Sequence, residues 1–209
     1  MSASQDLPVV EADESNIASL KTIVARSFHP VNPYIRNTLP DTPLMREWWA
    51  QNFTEQLRDP RCNVLTVLDQ ASNDAVGILL LRLMGPQERG SGSWTSRELT
   101  DDHDKEAYKP MIDGMTEHRE RVMFGTAHFM IELFGVDHAL KGRRLGDRLL
   151  RRACEIADEA GYPTFVQSNQ FAKAFYEKHG FEEKGRSDMP GEIKYSEFML
   201  LRPVPRAEA

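Results

Sequence analysis

The run from residue 127 to 168 constrains the fold most, because it reads as a strand, a basic turn, a helix and a second strand in succession. In the first strand, "AHFMIELFGV", both alternating sets of residues are apolar, which is typical of a strand covered on both faces. The two sets are Phe129, Ile131 and Leu133 on one side and Met130, Phe134 and Val136 on the other. The helix that follows keeps its apolar residues on one face, and "GYPTFVQS" supplies the next strand. This order favours parallel pairing within an α/β or α+β sheet.

The remaining elements follow from apolar periodicity and from helix boundaries. Strands are predicted near 7–12, 62–69, 75–84, 181–186 and 193–201, and helices near 13–28, 43–60, 104–123 and 169–180. The helix at 104–123 is expected to be interrupted at Pro110, and the proline-rich run 29–43 is not expected to hold regular structure. The Gly/Ser-rich and then acidic run 85–104 is the best candidate for a mobile segment. With 209 residues we expect a single domain over 1–209, with an insertion at about 85–123.

Charge and cysteine usage exclude several classes of partner. The formal net charge of -6 argues against nucleic acid or an anionic membrane, so any bound anion must meet a local basic patch. Cys62 and Cys154 show neither metal-ligand spacing nor a disulfide framework, which predicts no metal and a reducing compartment. The N-terminus carries acidic residues where a signal peptide needs basic ones, and no apolar run reaches the length of a membrane span. The expectation is a soluble cytoplasmic protein.

The basic turn at 141–146 has two interpretations. Backbone N–H groups between a strand and a helix converge with the helix N-terminus, a geometry that binds phosphate, and Gly142 and Gly146 let a ligand approach closely. The alternative is a solvated surface turn, which charge alone would favour. The two-faced apolar strand before the turn favours the phosphate site.

Glu132 stands in the middle of that apolar strand. Burying an isolated ionised carboxylate costs several kcal/mol, so Glu132 requires a cationic partner, a raised pKa or an opening to water. Each of these suits a functional cleft, and the structural alternative is a Glu paired with one of the nearby arginines. On the helix "NQFAKAFYEKHGF", Asn169, Ala172 and Tyr176 fall close to one face, although Tyr176 by itself reads as an ordinary half-buried tyrosine.

These pieces, in this order, resemble the GNAT superfamily of N-acetyltransferases, strongly over 129–182 and weakly over most of the chain. The run "KGRRLG" takes the place of the family's Q/R-x-x-G-x-G/A signature, and the final helix is similar to its NxxAxxFYxxxGF element. Lys141 replaces the usual Gln or Arg, and Arg144 replaces the first signature glycine, where it could either crowd the pyrophosphate or contact it. Within the superfamily the pattern is most similar to the puromycin acetyltransferases and their fungal relatives.

The resemblance implies a fold, a cofactor and a set of site residues. The implied fold is a central mixed, mostly antiparallel sheet of about seven strands, splayed between the fourth and fifth and flanked by helices. The implied cofactor is acetyl-CoA, and the implied catalytic residues are Glu132 as base and Tyr176 as general acid. The implied cofactor contacts are Phe134, Gly135, Val136, Lys141, Gly142, Arg143, Arg144, Leu145, Gly146, Asp147, Asn169, Ala172 and Phe175.

The implied activity is transfer of an acetyl group to a primary amine of a small molecule, such as a xenobiotic, an antibiotic or a metabolite, by direct attack. Two alternatives stay open: a protein lysine or N-terminal acetyltransferase, and a non-catalytic acyl-CoA-binding protein of the same fold. The protein is expected to be a monomer or a homodimer paired through edge strands near its C-terminus. Aromatic and Met residues are candidates for the acceptor wall: Phe28, Tyr34, Trp48, Trp49, Met111 and Met115.

Overall fold

A computed structural model describes residues 7–189 and 194–205, and its centre is one seven-stranded sheet. The strands are β1 (Val9–Glu11), β2 (Cys62–Leu68), β3 (Ala75–Met84), β4 (His128–Val136), β5 (Thr164–Asn169), β6 (Glu182–Asp188) and β7 (Ser196–Arg202). Their order across the sheet is β1-β2-β3-β4-β5-β7-β6, and every neighbouring pair is antiparallel except β4 and β5. The predicted mixed sheet, with its parallel pair around the basic turn, is confirmed.

Seven α-helices of the described residues cover the sheet on both faces. They are α1 (Ile17–Leu20), α2 (Ile23–Phe28), α3 (Pro33–Thr38), α4 (Pro43–Arg58), α5 (Lys105–Met123), α6 (Leu145–Ala160) and α7 (Lys173–Glu177). One core holds Leu149 and Leu150 of α6 together with Leu79 and Leu81 of β3. The opposite core joins Ile78 and Leu80 of β3 to residues of α1 to α5. β3 is therefore buried on both faces, which is why its sequence is almost continuously apolar. No helix in these residues is long and apolar enough to cross a membrane.

Two expectations about prolines are wrong. The run 29–43 contains α3, because Pro33 takes the first helical position, where no N–H is needed, and the Asn32 side chain accepts a hydrogen bond from the Ile35 amide. α5 runs without interruption through Pro110, which is exposed. Burial of Tyr108 and its neighbours on the opposite face of α5 holds the helix together there.

The run 85–104 is packed onto the domain instead of being free of it. The buried Arg119 of α5 donates to the carbonyls of Glu88 and Gly90, and Trp48 Nε1 of α4 donates to the Glu98 carbonyl at 3.0 Å. A short 3-10 helix, Gly92–Trp94, lies against β4. Side chains from two helices therefore satisfy carbonyl groups of this segment.

A β-bulge in β4 overturns the strict alternation expected for that strand. Leu80 pairs with Leu133 but Leu81 pairs with Ile131, so Glu132 is an extra residue in β4. Beyond it the faces exchange: Leu133 joins the core with Leu80, whereas Phe134 packs with the α6 core that also holds Ile131. Leu133 is therefore not on the face of Ile131. Glu132 likewise does not share a face with Phe134 and Val136, as strict alternation would require.

Candidate active site

β4 and β5 separate shortly after they begin. They pair at Phe129–Thr164, Met130–Phe165 and Ile131–Val166, and no further pair follows among the described residues. The bulge at Glu132 coincides with the point of separation. Between the diverging strands lies a cavity of about 740 Å³ that reaches the basic turn at one end and α3 and α5 at the other.

The cavity wall contains every residue that the sequence assigned to catalysis or to cofactor contact. These residues come from β4, the basic turn, the first turn of α6, the end of β5 and α7: Glu132, Phe134, Gly135, Val136, Lys141, Gly142, Arg143, Arg144, Leu145, Gly146, Asp147, Asn169, Ala172, Phe175 and Tyr176. Their juxtaposition is a geometric observation, and the role of each residue remains a prediction.

The basic end of the cavity is built from the start of α6. The first amides of this 16-residue helix have no partner within the helix, and they face the turn that holds the exposed Lys141, Arg143 and Arg144. Gly142 has φ +90° and Arg144 has φ +58°, both in the left-handed region. Arg144 thus adopts the backbone conformation that glycine favours, at a cost of about 1–2 kcal/mol. This end of the cavity has the geometry and charge of an anion site.

Aromatic rings line the middle of the cavity. Phe134 lies 5.7 Å from Phe175 and 6.0 Å from Tyr176, measured between ring centroids. A Cβ added to Gly146 would lie 3.4 Å from Phe134 Cζ, so α6 comes close to these rings. On the other face, a Cβ on Gly135 would lie 2.5 Å from Ser27 Oγ, so glycine permits α2 to pack directly on β4.

Glu132 is bound by a buried cation and by the 3-10 helix. Its carboxylate accepts from Arg82 Nε at 2.8 Å, from the Ser93 amide at 2.9 Å and from the Ser93 hydroxyl at 3.2 Å. The Arg82 guanidinium also binds Asp59 and Gln56 at the end of α4. Burial raises the pKa of Glu132, and Arg82 and Ser93 oppose that rise. The arginine pairing that the sequence left open is therefore present, and the carboxylate holds a buried network together.

Tyr176 is buried in the cavity wall, where it contacts Phe134, Phe175 and Phe181. Burial raises its pKa well above the ordinary value of 10.0, so its hydroxyl stays protonated at neutral pH. Asn169 has a local role: its Oδ1 accepts from the Phe171 and Ala172 amides at 2.9 and 3.1 Å. That side chain therefore fixes the turn between β5 and α7.

The acceptor end differs in part from expectation. Phe28, Met111 and Met115 line the cavity as expected. Trp48 and Trp49 instead pack edge to face within the core, and Tyr34 stacks on Tyr195 with ring centroids 4.5 Å apart. These rings lie in the core because burying a whole aromatic ring is more favourable in free energy than leaving it partly exposed in a cleft.

Sequence analysis missed a second group at this end: Asn32, Gln167, Tyr195 and Glu197 all line the cavity. Glu197 interrupts an apolar strand, "SEFMLL", much as Glu132 interrupts its own strand. The reasoning applied to Glu132 would have selected Glu197 as well. Burial raises the pKa of Glu197 from 4.5 to about 7, and hydrogen bonds from Gln167 and Tyr195 oppose the rise.

Comparisons with known proteins agree with this architecture. Residues 24–181 match the sequence profile described as Acetyltransferase (GNAT) family. A stretch of 51 residues is 49% identical to a protein described as a probable glucosamine 6-phosphate N-acetyltransferase 2 from Oryza sativa subsp. japonica. That match covers 24% of this chain and 31% of the length of that relative.

Solved structures match over nearly the whole chain. Arylalkylamine N-acetyltransferase 2 from Aedes aegypti superposes with a TM-score of 0.69 at 14% identity, covering 96% of this chain and 100% of that one. An agmatine N-acetyltransferase gives a TM-score of 0.69 at 16% identity, covering 94% of this chain and 99% of that one. At these identities the likeness concerns the fold.

Proposed function

The chain belongs to the acetyltransferase (GNAT) family, and we propose that it moves the acetyl group of acetyl-CoA to a primary amine of a small molecule. The proposal rests on one observation: a continuous cavity runs from the basic turn to the end near α3 and α5, whose wall includes a buried carboxylate. Xenobiotics, antibiotics and metabolites with an aliphatic amine are the classes we propose. The named relatives, which include arylalkylamine, agmatine and glucosamine 6-phosphate acetyltransferases, support such an acceptor.

The residues present fit acetyl-CoA, the donor used by the family. We propose that the backbone of Phe134, Gly135 and Val136 receives the pantetheine arm, because β4 has no β5 neighbour there. The amides from Gly142 to Asp147 would hold the pyrophosphate at the start of α6. The group supplies an acetyl thioester, which a neutral amine can attack directly.

The chain itself supports direct attack over a covalent acyl-enzyme. Burial raises the pKa of the Cys62 thiol to about 12 and that of the Cys154 thiol to about 11, so neither is a thiolate at neutral pH. An alkyl ammonium has a pKa of about 10.4 and must lose a proton before it attacks. Glu132 remains the sequence-based hypothesis for this base, and proton transfer to it would compete with its bonds to Arg82 and Ser93. Backbone amides at the β4 bulge would stabilise the oxyanion.

The test is a thiol-release assay with acetyl-CoA and a panel of amines. The panel includes 2-phenylethylamine, agmatine and glucosamine 6-phosphate, and we expect release with at least one of these amines and none without an amine. Release only with lysine peptides would instead indicate a protein acetyltransferase. Tight binding of CoA without release for any amine would indicate a non-catalytic binder.

Replacing Tyr176 by phenylalanine should lower kcat by about 10-fold or more, because the departing sulfur loses its proton donor. The dissociation constant of CoA should change by no more than roughly twofold, since the ring still fills the same space. Steady-state kinetics and calorimetry separate the two effects. Tyr162→Phe is the matched control, because Tyr162 packs on Phe129 outside the cavity wall. Wild-type turnover in Tyr176→Phe would exclude Tyr176 as the acid.

Replacing Arg144 by glycine should weaken CoA binding by about 3- to 10-fold, because the turn loses a guanidinium that can contact phosphate. The loss should shrink at high ionic strength. Calorimetry with CoA at two salt concentrations measures both. Arg152→Ala, which removes an exposed arginine from the same helix, should leave binding unchanged. Tighter binding by Arg144→Gly would mean that the side chain crowds the pyrophosphate.

A further inference from the structure

Glu197 lies in the cavity wall, on β7, the strand next to β5. It pairs in register with Asn169, so its Cβ is about 4.5–5.5 Å from that of Asn169. The carboxylate is buried and lines the cavity. Asn169 is the last residue of β5, the strand that faces β4 across the cleft. Glu197 would therefore lie beside the position of the acetyl group.

The contacts of Glu197 leave room for a ligand. Its carboxylate accepts from Gln167 Nε2 and from the Tyr195 hydroxyl, and no Lys, Arg or His within 7–189 or 194–205 forms an ion pair with it. A carboxylate has about four acceptor positions, so roughly half of them stay open here. Glu132, in contrast, is held by Arg82 and by Ser93.

One buried amide atom beside Glu197 also lacks a partner. Gln167 Oε1 has none in the described structure, because Gln167 directs its Nε2 to the Glu197 carboxylate. The buried Asn32 side chain bonds the Tyr195 hydroxyl, so it holds that ring beside the carboxylate. A buried polar atom without a partner costs about 1–3 kcal/mol. A ligand with an ammonium group would satisfy Gln167 Oε1 and Glu197 together.

The wall around these groups is apolar and carries no cation. It is formed by Ile35 of α3 and Leu39 directly after that helix, by Met111 and Met115 of α5, and by Trp94. Every Lys and Arg among the described lining residues lies at the basic turn, at the other end of the cavity. The acceptor end therefore suits a hydrocarbon or aromatic body and offers nothing to bind a phosphate.

We propose that Glu197 binds the ammonium group of the acceptor and takes its proton, and that the acceptor is an alkyl or aralkyl primary amine without a phosphate. The inference rests on the proposed acetyl transfer. An N–H bond of the ammonium breaks, an O–H bond forms on Glu197, and the amine keeps the electron pair. That pair forms the C–N bond as the C–S bond breaks, and the second amine proton passes to sulfur by way of Tyr176. Glu197 returns its proton to water when the amide leaves.

The titratable neighbours of Glu197 on α3, on α5 and directly before β7 are uncharged at neutral pH. Burial raises the pKa of Tyr34 on α3 to about 12 and that of Tyr195 well above its usual value. Burial lowers the pKa of His118 on α5, which meets Glu197 through Gln167, so His118 is neutral. A base with a pKa of about 7 is suited to proton transfer at physiological pH.

The kinetic test compares Glu197→Gln, Glu132→Gln and Glu182→Gln, the last an exposed glutamate of β6 paired with Lys184. With 2-phenylethylamine, Glu197→Gln should lower kcat/KM by about 100-fold and abolish the rise in rate around pH 7. Glu182→Gln should keep that rise, and Glu132→Gln tests the alternative base. Glucosamine 6-phosphate should be a far poorer acceptor than 2-phenylethylamine. A wild-type pH profile in Glu197→Gln, or a profile lost only in Glu132→Gln, would overturn the assignment.

A second readout needs no turnover. The raised pKa of Glu197 contributes stability that is fully present below 4.5 and is lost as the pH rises through about 7. Glutamine does not ionise, so the melting temperature of Glu197→Gln should rise relative to wild type between pH 5 and pH 8, by about 3 degrees or more. A constant difference in melting temperature across that range would contradict a buried carboxyl without a cationic partner at this position.

Amine binding separates this inference from the proposed function. Calorimetry should show that 2-phenylethylamine binds the CoA-loaded wild type and binds Glu197→Gln at least about 10-fold more weakly. Its neutral analogue 2-phenylethanol should bind both alike. If wild type binds the amine in this way but releases no thiol with any amine, the proposed acetyl transfer is wrong and the proposed Glu197 binding site is supported. If thiol is released but Glu197→Gln binds and reacts as wild type does, the Glu197 site fails alone.

Discussion

Replacing Arg82 by methionine should lower the free energy of unfolding by about 3–5 kcal/mol, because it leaves Glu132 buried without its cation. The Glu132 side chain is 0% exposed, and Arg82 Nε is its only cationic partner within the described residues. Arg82 also binds Gln56 and Asp59, so the variant loses contacts to α4 as well. Denaturant unfolding followed by fluorescence measures the change.

The matched control is Arg58→Met, because Arg58 pairs with Glu14 at the surface and both side chains are more than half exposed. That change should cost about 1 kcal/mol or less. Adding Glu132→Gln to Arg82→Met should recover about 1–3 kcal/mol, since a neutral amide needs no cation. A loss below about 1 kcal/mol in Arg82→Met, or no recovery in the double variant, would show that Glu132 does not depend on Arg82.

Replacing Gly92 by alanine should detach the run 85–104 from β4 and lower the free energy of unfolding by about 3 kcal/mol or more. The added Cβ would lie 1.6 Å from Glu132 Oε1, and Gly92 has φ +59°. The carboxylate cannot move aside without giving up Arg82 and the Ser93 amide. Acetyl transfer should fall too, because Trp94, which donates to the Glu132 carbonyl at 2.8 Å, forms part of the acceptor wall.

Limited trypsin digestion is the direct measurement for Gly92→Ala, because Arg97 lies in this run and its side chain is only 8% exposed. Cleavage after Arg97 should be slow in wild type and fast in the variant. Gly125→Ala provides the control: Gly125 has φ +88° but its added Cβ would meet nothing within 4 Å. It should cost only the conformational strain of about 1–2 kcal/mol and leave Arg97 protected. Equal digestion of Gly92→Ala and wild type would argue against the contact with Glu132.

Local patterns predicted the elements that build the basic end of the cavity. Two-faced burial identified β4, periodicity identified α6, and the basic residues with glycines marked the turn between them. All three patterns are formed by residues that are close together in the chain, so they can be recognised in the sequence. The same argument predicts the parallel partner β5, because a helix of this length returns the chain beside the strand it left.

Other expectations failed where distant packing opposed local propensity. Prolines at 33 and 110 sit in helices because one occupies a first helical position and the other an exposed face of a well-buried helix. The run 85–104 reads as mobile, but its partners Arg119 and Trp48 come from other parts of the chain. The bulge at Glu132 cannot be recognised in the sequence, because both faces of this strand are apolar and a shift of one residue still buries apolar side chains.

By itself the sequence determined the parallel unit, the basic turn and the presence of a carboxylate in an apolar strand, because each rests on periodicity or on neighbouring residues. Only the tertiary structure decided which carboxylate meets a cation. Glu132 and Glu197 occupy similar apolar strands and both line the cavity, yet Arg82, 50 positions from Glu132, pairs with Glu132, whereas Glu197 has no ion pair among the described residues. Whether a buried carboxylate meets a cation depends on which strands become neighbours, and the residues around each glutamate in the chain do not encode that choice.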